Sequence, residues 1–431
     1  MRTRSLAFSF LIAMCMVGNS FAQDDFERAP IEYSASQPSN CITRLQEKLD
    51  KGEVKLDFDK EFGYLKSVLA ALEIPKESQS LVFSKTSLQL RRISPHTPRA
   101  IYFKDDLYIG FCRAGDVMEV SAVDPKLGAV FYTLDQRAPE KSPKFERQTD
   151  NCLVCHSSSR TEGVPGHLVR SLFVDISGQP LLTAGSRTVN HTTPIEHRWG
   201  GWYVTGTHGD QKHLGNLIAQ RDVQPNTVKN EDGQNVTSLD KRFPTEHYVT
   251  PHSDIVALMV LEHQTLTHNC LTSANFATRQ ALAYDEMMGK VLDKKEGERL
   301  ESTNRRIQSA GEKLIDAIFF VEEAPITAPI VGTSGYAESF AKQGPRDSKG
   351  RSLRDFDLNR RMFKYPCSYL IYSEAYDALP KEMMEFLRRR FDEILTGKDT
   401  SKKFAHLSSE DRAAIWEILK ETKPALLEAA R

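Results

Sequence analysis

The hydrophobic pattern of this 431-residue chain changes its period near residue 250, and this change limits the folds open to it. Between residues 80 and 134, five short segments rich in β-branched and aromatic residues are separated by turn signals: SLVFSKTSL, RAIYF, DLYIGFCR, VMEVSAV and GAVFYTL. After Ser253 or Asp254, either of which can cap a helix, the period becomes helical as far as Val291. The sequence therefore predicts an α+β fold, in which a β-rich region is followed by a mostly helical C-terminal half.

Composition and pattern divide the chain into regions. Residues 23–40 are polar and contain two prolines, which is typical of a linker or a disordered leader. We expect a β-rich region over residues 41–250 and a helical region over residues 251–431. Helical patterns cover residues 41–52 (capped by Ser39 or Asn40), 62–74, 255–291, 296–321, 357–376, 380–396 and 408–430; strands fit residues 168–176 and 198–206, and a polar surface loop fits residues 219–246.

The most specific local signal is NCLVCHS at residues 151–157. Two cysteines one helical turn apart, followed at once by a histidine, suit covalent haem attachment, because the thiols can reach the two vinyl groups while the histidine reaches the iron. With 7 cysteines and 12 histidines in the chain, random placement gives roughly 0.003 copies of this pattern. A thioredoxin-like redox pair normally lacks the adjacent histidine, and a zinc site would need a second ligand pair, whereas the chain has no other CxxC. The motif therefore predicts thioether bonds at Cys152 and Cys155 and an iron ligand at His156.

The N-terminus predicts the compartment in which such attachment takes place. Arg2 and Arg4 begin the chain, an apolar stretch follows, and small residues precede an expected cleavage between Ala22 and Gln23. This is the pattern of a secretory signal peptide over residues 1–22. We therefore expect a periplasmic or secreted protein with no transmembrane anchor after cleavage, since no later apolar run is long enough to cross a bilayer.

Charge and cysteine content bound the partners and the covalent structure. The chain has 57 Lys and Arg against 58 Asp and Glu, a formal net charge of −1, so nothing in it indicates a nucleic-acid partner. Outside the signal peptide and the motif, the remaining cysteines are Cys41, Cys112, Cys270 and Cys367. They allow three disulfide connectivities, and their neighbourhoods also suit small buried apolar residues.

NCLVCH resembles the haem-attachment site of c-type cytochromes, and the whole chain is similar to large bacterial periplasmic proteins that contain one cytochrome c domain. The resemblance implies a single covalently attached haem c, with His156 as the proximal iron ligand and the carbonyl of Pro165 orienting its ring. Small cytochromes c are helical and use a methionine as second axial ligand. Here the motif lies in mid-chain between predicted strands, and no methionine occurs between residues 119 and 258. Haem attachment is therefore implied, but not the small-cytochrome fold or its methionine ligand.

We expect a histidine as the second, distal iron ligand. Four of the twelve histidines lie within residues 190–213: His191, His197, His208 and His213. His208 is the first choice, because its flanking glycines (GTHG) permit close approach of the backbone to a flat ring. His191, His213 and His263 are the other candidates.

A separate metal site in the helical segment LEHQTLTHN is not expected. Glu262, His263 and His268 are suitable ligand types, but the two histidines are five residues apart and therefore do not share one face of a helix.

Three functions remain open at this level. The leading hypothesis is one-electron transfer to or from a periplasmic redox partner protein. The alternative is a haem-dependent, peroxidase-like oxidoreductase with an open distal site, which the length of the chain favours. The third is a haem sensor or a subunit of a larger redox complex. No motif assigns an acid, a base or a substrate pocket.

Overall fold

The computed structural model describes residues 25–137, 142–224, 228–295 and 298–427, and it has the α+β architecture that the sequence predicts. The predicted signal peptide lies outside these residues. Within the described part of the chain, no helix combines the length and the apolar character needed to span a bilayer.

An antiparallel meander of six strands, paired in sequence order, forms the main sheet. Its strands are β1 (Ser80–Val82), β2 (Arg99–Lys104), β3 (Leu107–Phe111), β4 (Val117–Asp124), β5 (Gly128–Asp135) and β6 (Phe145–Gln148). The meander is confirmed, but β6 was not predicted. It is a polar edge strand in which only Phe145 is buried, so it lacks the apolar alternation that identified the others.

A second, two-stranded sheet pairs β7 (Val169–Leu172) with β8 (Ser186–Val189). The strand predicted over residues 198–206 is wrong. Trp199 and Gly201 have φ of +68° and +83°, and Trp202 N donates to Trp199 O at 2.9 Å. These left-handed residues form a tight turn, so the segment contributes only isolated bridges to its neighbours.

Helices account for most of the chain after residue 254. The helices are α1 (Cys41–Asp50), α2 (Leu65–Ala71), α3 (Leu153–His156), α4 (Ile255–Val291), α5 (Glu301–Ile318), α6 (Tyr336–Ala341), α7 (Glu374–Asp377), α8 (Lys381–Leu395), α9 (Ser409–Thr422) and α10 (Pro424–Leu427). The side chain of Asn40 caps α1 in a capping box with Thr43, as the sequence allowed. α4 has 37 residues and is therefore about 55 Å long.

The single helix predicted over residues 357–376 is wrong. Leu358 has φ of +56°, and Phe356 and Phe363 form an antiparallel bridge. Pro366 follows, and a proline in a helix interior removes a hydrogen bond and clashes with the preceding turn. The segment therefore turns back on itself and becomes helical only near its end, in a 3-10 turn and α7.

The predicted linker over residues 23–40 is also wrong for its described part. Phe26, Ile31 and Tyr33 are buried, and the hydroxyl of Tyr33 donates to Ala129 O in β5 at 2.8 Å. The burial of three apolar side chains is enough to order an otherwise polar segment. The predicted loop over residues 219–246 is largely irregular in its described part, although it also buries Leu239 and Phe243.

The two faces of the main sheet pack against different helices. Cross-strand neighbours Tyr102, Ile109, Val120 and Tyr132 share an apolar core with α1 and α2. The other face carries the cross-strand row Phe103, Tyr108, Ser121 and Phe131. α4 packs over this second face, because Tyr108 contacts His268 and Gly128 lies against Thr272.

Asp254 ties the start of α4 to the segment before α6. One carboxylate oxygen accepts from Val256 N and Ala257 N, and the other accepts from Thr333 N and Ser334 N at 2.7 and 2.8 Å. The side chain is buried, so its removal leaves donors without partners as well as an uncapped helix.

We expect Asp254→Ala to lower the free energy of unfolding by about 2–4 kcal/mol, which combines a lost cap with unpaired buried N–H groups. Ser408, which caps α9 at the surface, provides the control, and Ser408→Ala should lose only about 1 kcal/mol. Urea unfolding measures both. Equal losses would show that the bonds to Thr333 and Ser334 contribute nothing.

Candidate haem-attachment site

The CxxCH segment forms one helical turn, α3, whose last two amides donate to Cys152 O. Cys155 N and His156 N donate to this carbonyl at 3.3 and 3.0 Å. Leu153 is buried in the core beside the sheet, whereas Val154 is 81% exposed. Cys152 is half-buried and Cys155 is exposed. The turn is therefore anchored on one side and presents its second thiol to the surface.

The ring of His156 is held by a backbone carbonyl. Its Nδ1 lies 2.9 Å from Gly166 O, and Gly166 N donates to His156 O at 2.8 Å. A carbonyl can only accept, so Nδ1 carries the proton and Nε2 has a free lone pair. Nε2 has no hydrogen-bond partner among the described residues, and burial lowers the pKa of His156. The neutral Nδ1–H tautomer is the form of imidazole that binds a metal through Nε2.

The sequence placed the orienting carbonyl one residue too early. Pro165 O accepts from Ala129 N at 3.2 Å instead, and the next carbonyl, of Gly166, faces the ring. The resemblance to cytochromes thus predicted the interaction with His156 but not the residue that makes it.

Asn269 in α4 holds the segment that carries this carbonyl. His167 N donates to Asn269 Oδ1 at 2.8 Å, and Asn269 Nδ2 donates to His167 O at 2.7 Å. A Cβ at Gly166 would lie 2.2 Å from Asn269 Oδ1, so only glycine fits between the two. This role of Asn269 could not be predicted from the sequence, because nothing local distinguishes Asn269 from other polar residues in the helix.

His156 packs against the second face of the main sheet, beside an arginine with a spare donor. Its ring centroid lies 4.9 Å from that of Phe131. Glu119, two residues beyond Ser121 on the same face, accepts from Arg99 Nη2 at 2.5 Å. The guanidinium lies over Gly110, where a Cβ would be 2.1 Å from Nη2, and Arg99 Nε is buried without a partner in the described structure.

These residues fit a covalently bound haem. The turn supplies two thiols, the fixed ring supplies an unprotonated nitrogen, and Arg99 Nε is a buried donor suited to a haem propionate. Glu119 pairs across the sheet with Thr133, two residues from Phe131 on the same face, which places the ion pair near the ring of His156.

The first-choice distal ligand, His208, is buried with its ring nitrogen engaged. His208 Nε2 accepts from Asn235 N at 3.0 Å, and the neighbouring His213 Nδ1 accepts from Gly215 N at 3.0 Å. Iron would have to replace a backbone N–H at His208 Nε2. At His213, coordination through Nε2 would require a proton on Nδ1, where the Gly215 N–H already points.

The other candidates form a separate pair. The Nδ1 atoms of His191 and His263 are 3.2 Å apart, and His263 Nε2 lies 2.8 Å from Ser368 Oγ. Within the described chain, no ring contact joins any of the four candidates to His156. A histidine as distal ligand therefore stays a prediction that these contacts do not support.

The residues of LEHQTLTHN have separate partners. Glu262 forms a buried ion pair with Arg198 at 2.8 Å, His263 faces His191, and His268 faces Tyr108.

Two residues near His156 were missed by the sequence analysis. His167 Nε2 lies 2.7 Å from Ser121 Oγ, and its ring centroid is 4.2 Å from that of Tyr108. His167 directly follows Pro165 and Gly166, so its proximity to the motif could have been considered. Tyr108 is one of several strand aromatics, and its role depends on residues far away in sequence.

In the described part of the chain, the cysteines outside the motif, Cys41, Cys112, Cys270 and Cys367, are free thiols. Cys112, Cys270 and Cys367 are buried, and burial raises the pKa of Cys112 and of Cys270 to about 12. They pack as small apolar side chains, which was the alternative to disulfide bonds in the sequence analysis.

Comparison of the chain with protein-family models, with curated proteins and with solved structures gives no match.

Buried histidines make the stability of this protein depend on pH. Burial lowers the pKa of both His191 and His213 to about 3, whereas an unfolded histidine titrates near 6.5. Between these values the unfolded chain binds protons that the folded chain does not. The contribution of each histidine to the free energy of unfolding therefore falls as the pH is lowered from about 6.5 toward 3.

We expect His213→Gln to reduce the slope of unfolding free energy against pH by up to about 1.4 kcal/mol per pH unit in this range. Glutamine retains an acceptor for Gly215 N, and the slope, rather than the absolute stability, is the readout. Urea unfolding at several pH values measures it. An unchanged slope would mean that the folded protein protonates His213 as readily as the unfolded chain does.

Proposed function

We propose that this chain is an extracytoplasmic monohaem c-type protein that transfers single electrons to or from a redox partner protein. The observation that carries the proposal is the bond from His156 Nδ1 to Gly166 O, because it leaves Nε2 unprotonated beside two thiols on one turn. Bound haem would supply a metal centre that alternates between two oxidation states.

Each residue of the site has a distinct part in the proposal. Cys152 and Cys155 form the thioether links, and the buried Leu153 fixes the turn between them. Gly166 and Asn269 keep the His156 ring in one orientation, which limits structural change when the charge of the metal changes. Val154 and Cys155 are exposed, so a partner can approach the site from this side.

A second candidate function is supported by the hydrogen bonds of the histidines predicted as distal iron ligands. The ring nitrogens of His208 and His213 accept backbone N–H groups, so the sixth position is not visibly supplied by either residue. A haem with an open sixth position can bind small ligands and react with peroxide, as in a peroxidase-like oxidoreductase.

Covalent attachment is tested on a denaturing gel. The full chain, exported in a host with the haem-maturation machinery, should retain haem stain, whereas Cys152→Ser and Cys155→Ser should lose most of it. Cys41→Ser, a half-buried cysteine outside the motif, is the control and should stain like the wild type. A pale band of intact wild-type protein would overturn the proposed function.

The ferric spectrum separates the two candidate functions. An electron carrier with a histidine as distal ligand should be low-spin and insensitive to cyanide, and His208→Ala should convert it to high-spin if His208 is that ligand. An enzyme with an open site should be high-spin and bind cyanide, and His208→Ala should leave its spectrum unchanged. Absorption typical of sulfur ligation would exclude a histidine in the sixth position.

A further inference from the structure

A buried column of rings leads away from His156 across the second face of the main sheet. The centroid distances are 4.9 Å from His156 to Phe131, 5.9 Å from Phe131 to His167 and 4.2 Å from His167 to Tyr108. Burial lowers the pKa of His167 well below its usual value, so this ring is neutral. The column thus connects the CxxCH turn to a tyrosine in β3 through uncharged aromatic groups.

Tyr108 ends the column with a hydrogen bond to a histidine, and a carboxylate lies close to the far side of that histidine ring. Its hydroxyl lies 2.8 Å from His268 Nδ1, and His268 Nε2 lies 3.4 Å from Asp106 Oδ1. Burial raises the pKa of Tyr108 well above its usual value, so the phenol keeps its proton, and it donates to Nδ1 when His268 is the Nε2–H tautomer. The charge of Asp106, whose side chain is 30% exposed, favours that tautomer, although Nε2 and Oδ1 form no hydrogen bond at 3.4 Å.

The acceptor distinguishes Tyr108 from the other buried tyrosines of the described chain. Several of their hydroxyls donate to carbonyl or amide oxygens, as Tyr33 does to Ala129 O and Tyr102 does to Gln79 Oε1, whereas those of Tyr64 and Tyr376 have no partner among the described residues. Such oxygens satisfy a hydroxyl but cannot take its proton. Only Tyr108 meets an imidazole nitrogen, and satisfying a buried hydroxyl does not require a base with a carboxylate behind it.

This arrangement suits one-electron oxidation of the phenol. Loss of an electron makes the phenolic O–H strongly acidic, and in an apolar interior its proton can move only to a base already in contact. His268 Nδ1 is that base, and Asp106 stabilises the imidazolium that forms, as the carboxylate does in a catalytic triad.

We propose that Tyr108 is a second redox centre, which gives one electron toward His156 through His167 and Phe131 while its proton passes to His268. The proposal rests on the second candidate function, a bound haem with an open sixth position, and the co-reactant is a peroxide. Reduction of hydrogen peroxide to two waters takes two electrons and two protons; Tyr108 supplies one electron, ferrous haem would supply the other and become ferric, and the two protons come from solvent. The Tyr108 O–H bond breaks and an N–H bond forms at His268 Nδ1.

The test is electron paramagnetic resonance of the haem-loaded full chain, reduced to the ferrous state and frozen after mixing with one equivalent of hydrogen peroxide. We expect a tyrosyl radical in the wild type and in Tyr102→Phe, the buried control, and its loss in Tyr108→Phe. A radical that persists in Tyr108→Phe, or no radical in haem-stained wild-type protein, overturns the inference. A wild type without haem stain overturns the proposed function itself.

His268→Gln keeps the test decisive if Tyr108→Phe fails to fold. Glutamine offers Tyr108 a hydrogen-bond acceptor but no base, so the radical should be much weaker although the hydroxyl stays satisfied. A radical of wild-type intensity in His268→Gln would show that His268 does not take the proton and would overturn the proposal.

Discussion

The paired hydrogen bonds between Asn269 and the backbone of His167 determine how the rest of the site is arranged. They fasten a loop that follows the CxxCH turn to the middle of α4, and only the missing side chain of Gly166 lets the two approach so closely. Because that loop holds the carbonyl facing His156, the orientation of one ring depends on a helix more than a hundred residues away. A buried amide that loses these partners is left unsatisfied, which costs about 1–3 kcal/mol for each group, so the contact has a strong preference for one geometry.

α4 is unusual in carrying polar side chains deep inside the protein. Glu262, His263, His268 and Asn269 are all buried, and each meets a partner from a different part of the chain: Arg198, His191, Tyr108 and His167. Polar groups in an apolar interior tolerate few alternative arrangements, because each shift leaves a donor or an acceptor unpaired. The polar side chains of α4 therefore hold the main sheet, the loop after the motif and the segments around Arg198 and His191 in fixed positions against the helix.

Local patterns in the sequence predicted the strands, helix caps and turns that depend on residues close together in the chain. Strand alternation gave the meander, Asn40 and Asp254 cap the helices expected of them, and the CxxCH spacing identifies its turn without further context. Long-range packing decided the rest. Residues 25–40 are ordered by the surface of β5, and the turn at Trp199 and Gly201 depends on left-handed backbone that strand propensity does not report. The bond between Tyr108 and His268 spans 160 residues, and no local pattern in a single sequence marks such a pair.

The contacts that the segment beginning at Asp25 makes with α4 affect the order in which the protein can fold. Its Pro30 carbonyl accepts from Arg279 Nη2 at 2.8 Å, and Phe26 lies against Phe276, both of them residues of α4. The contacts of Phe26 and Pro30 with α4 can therefore form only after some 249 further residues have been synthesised, whereas Tyr33 can meet Ala129 earlier. At ordinary rates of synthesis that interval lasts about 10–50 s, during which Phe26 lacks its contact with α4 and is accessible to chaperones and proteases. Chaperones that bind nascent chains therefore have the longest time to bind near the N-terminal end of the folded part.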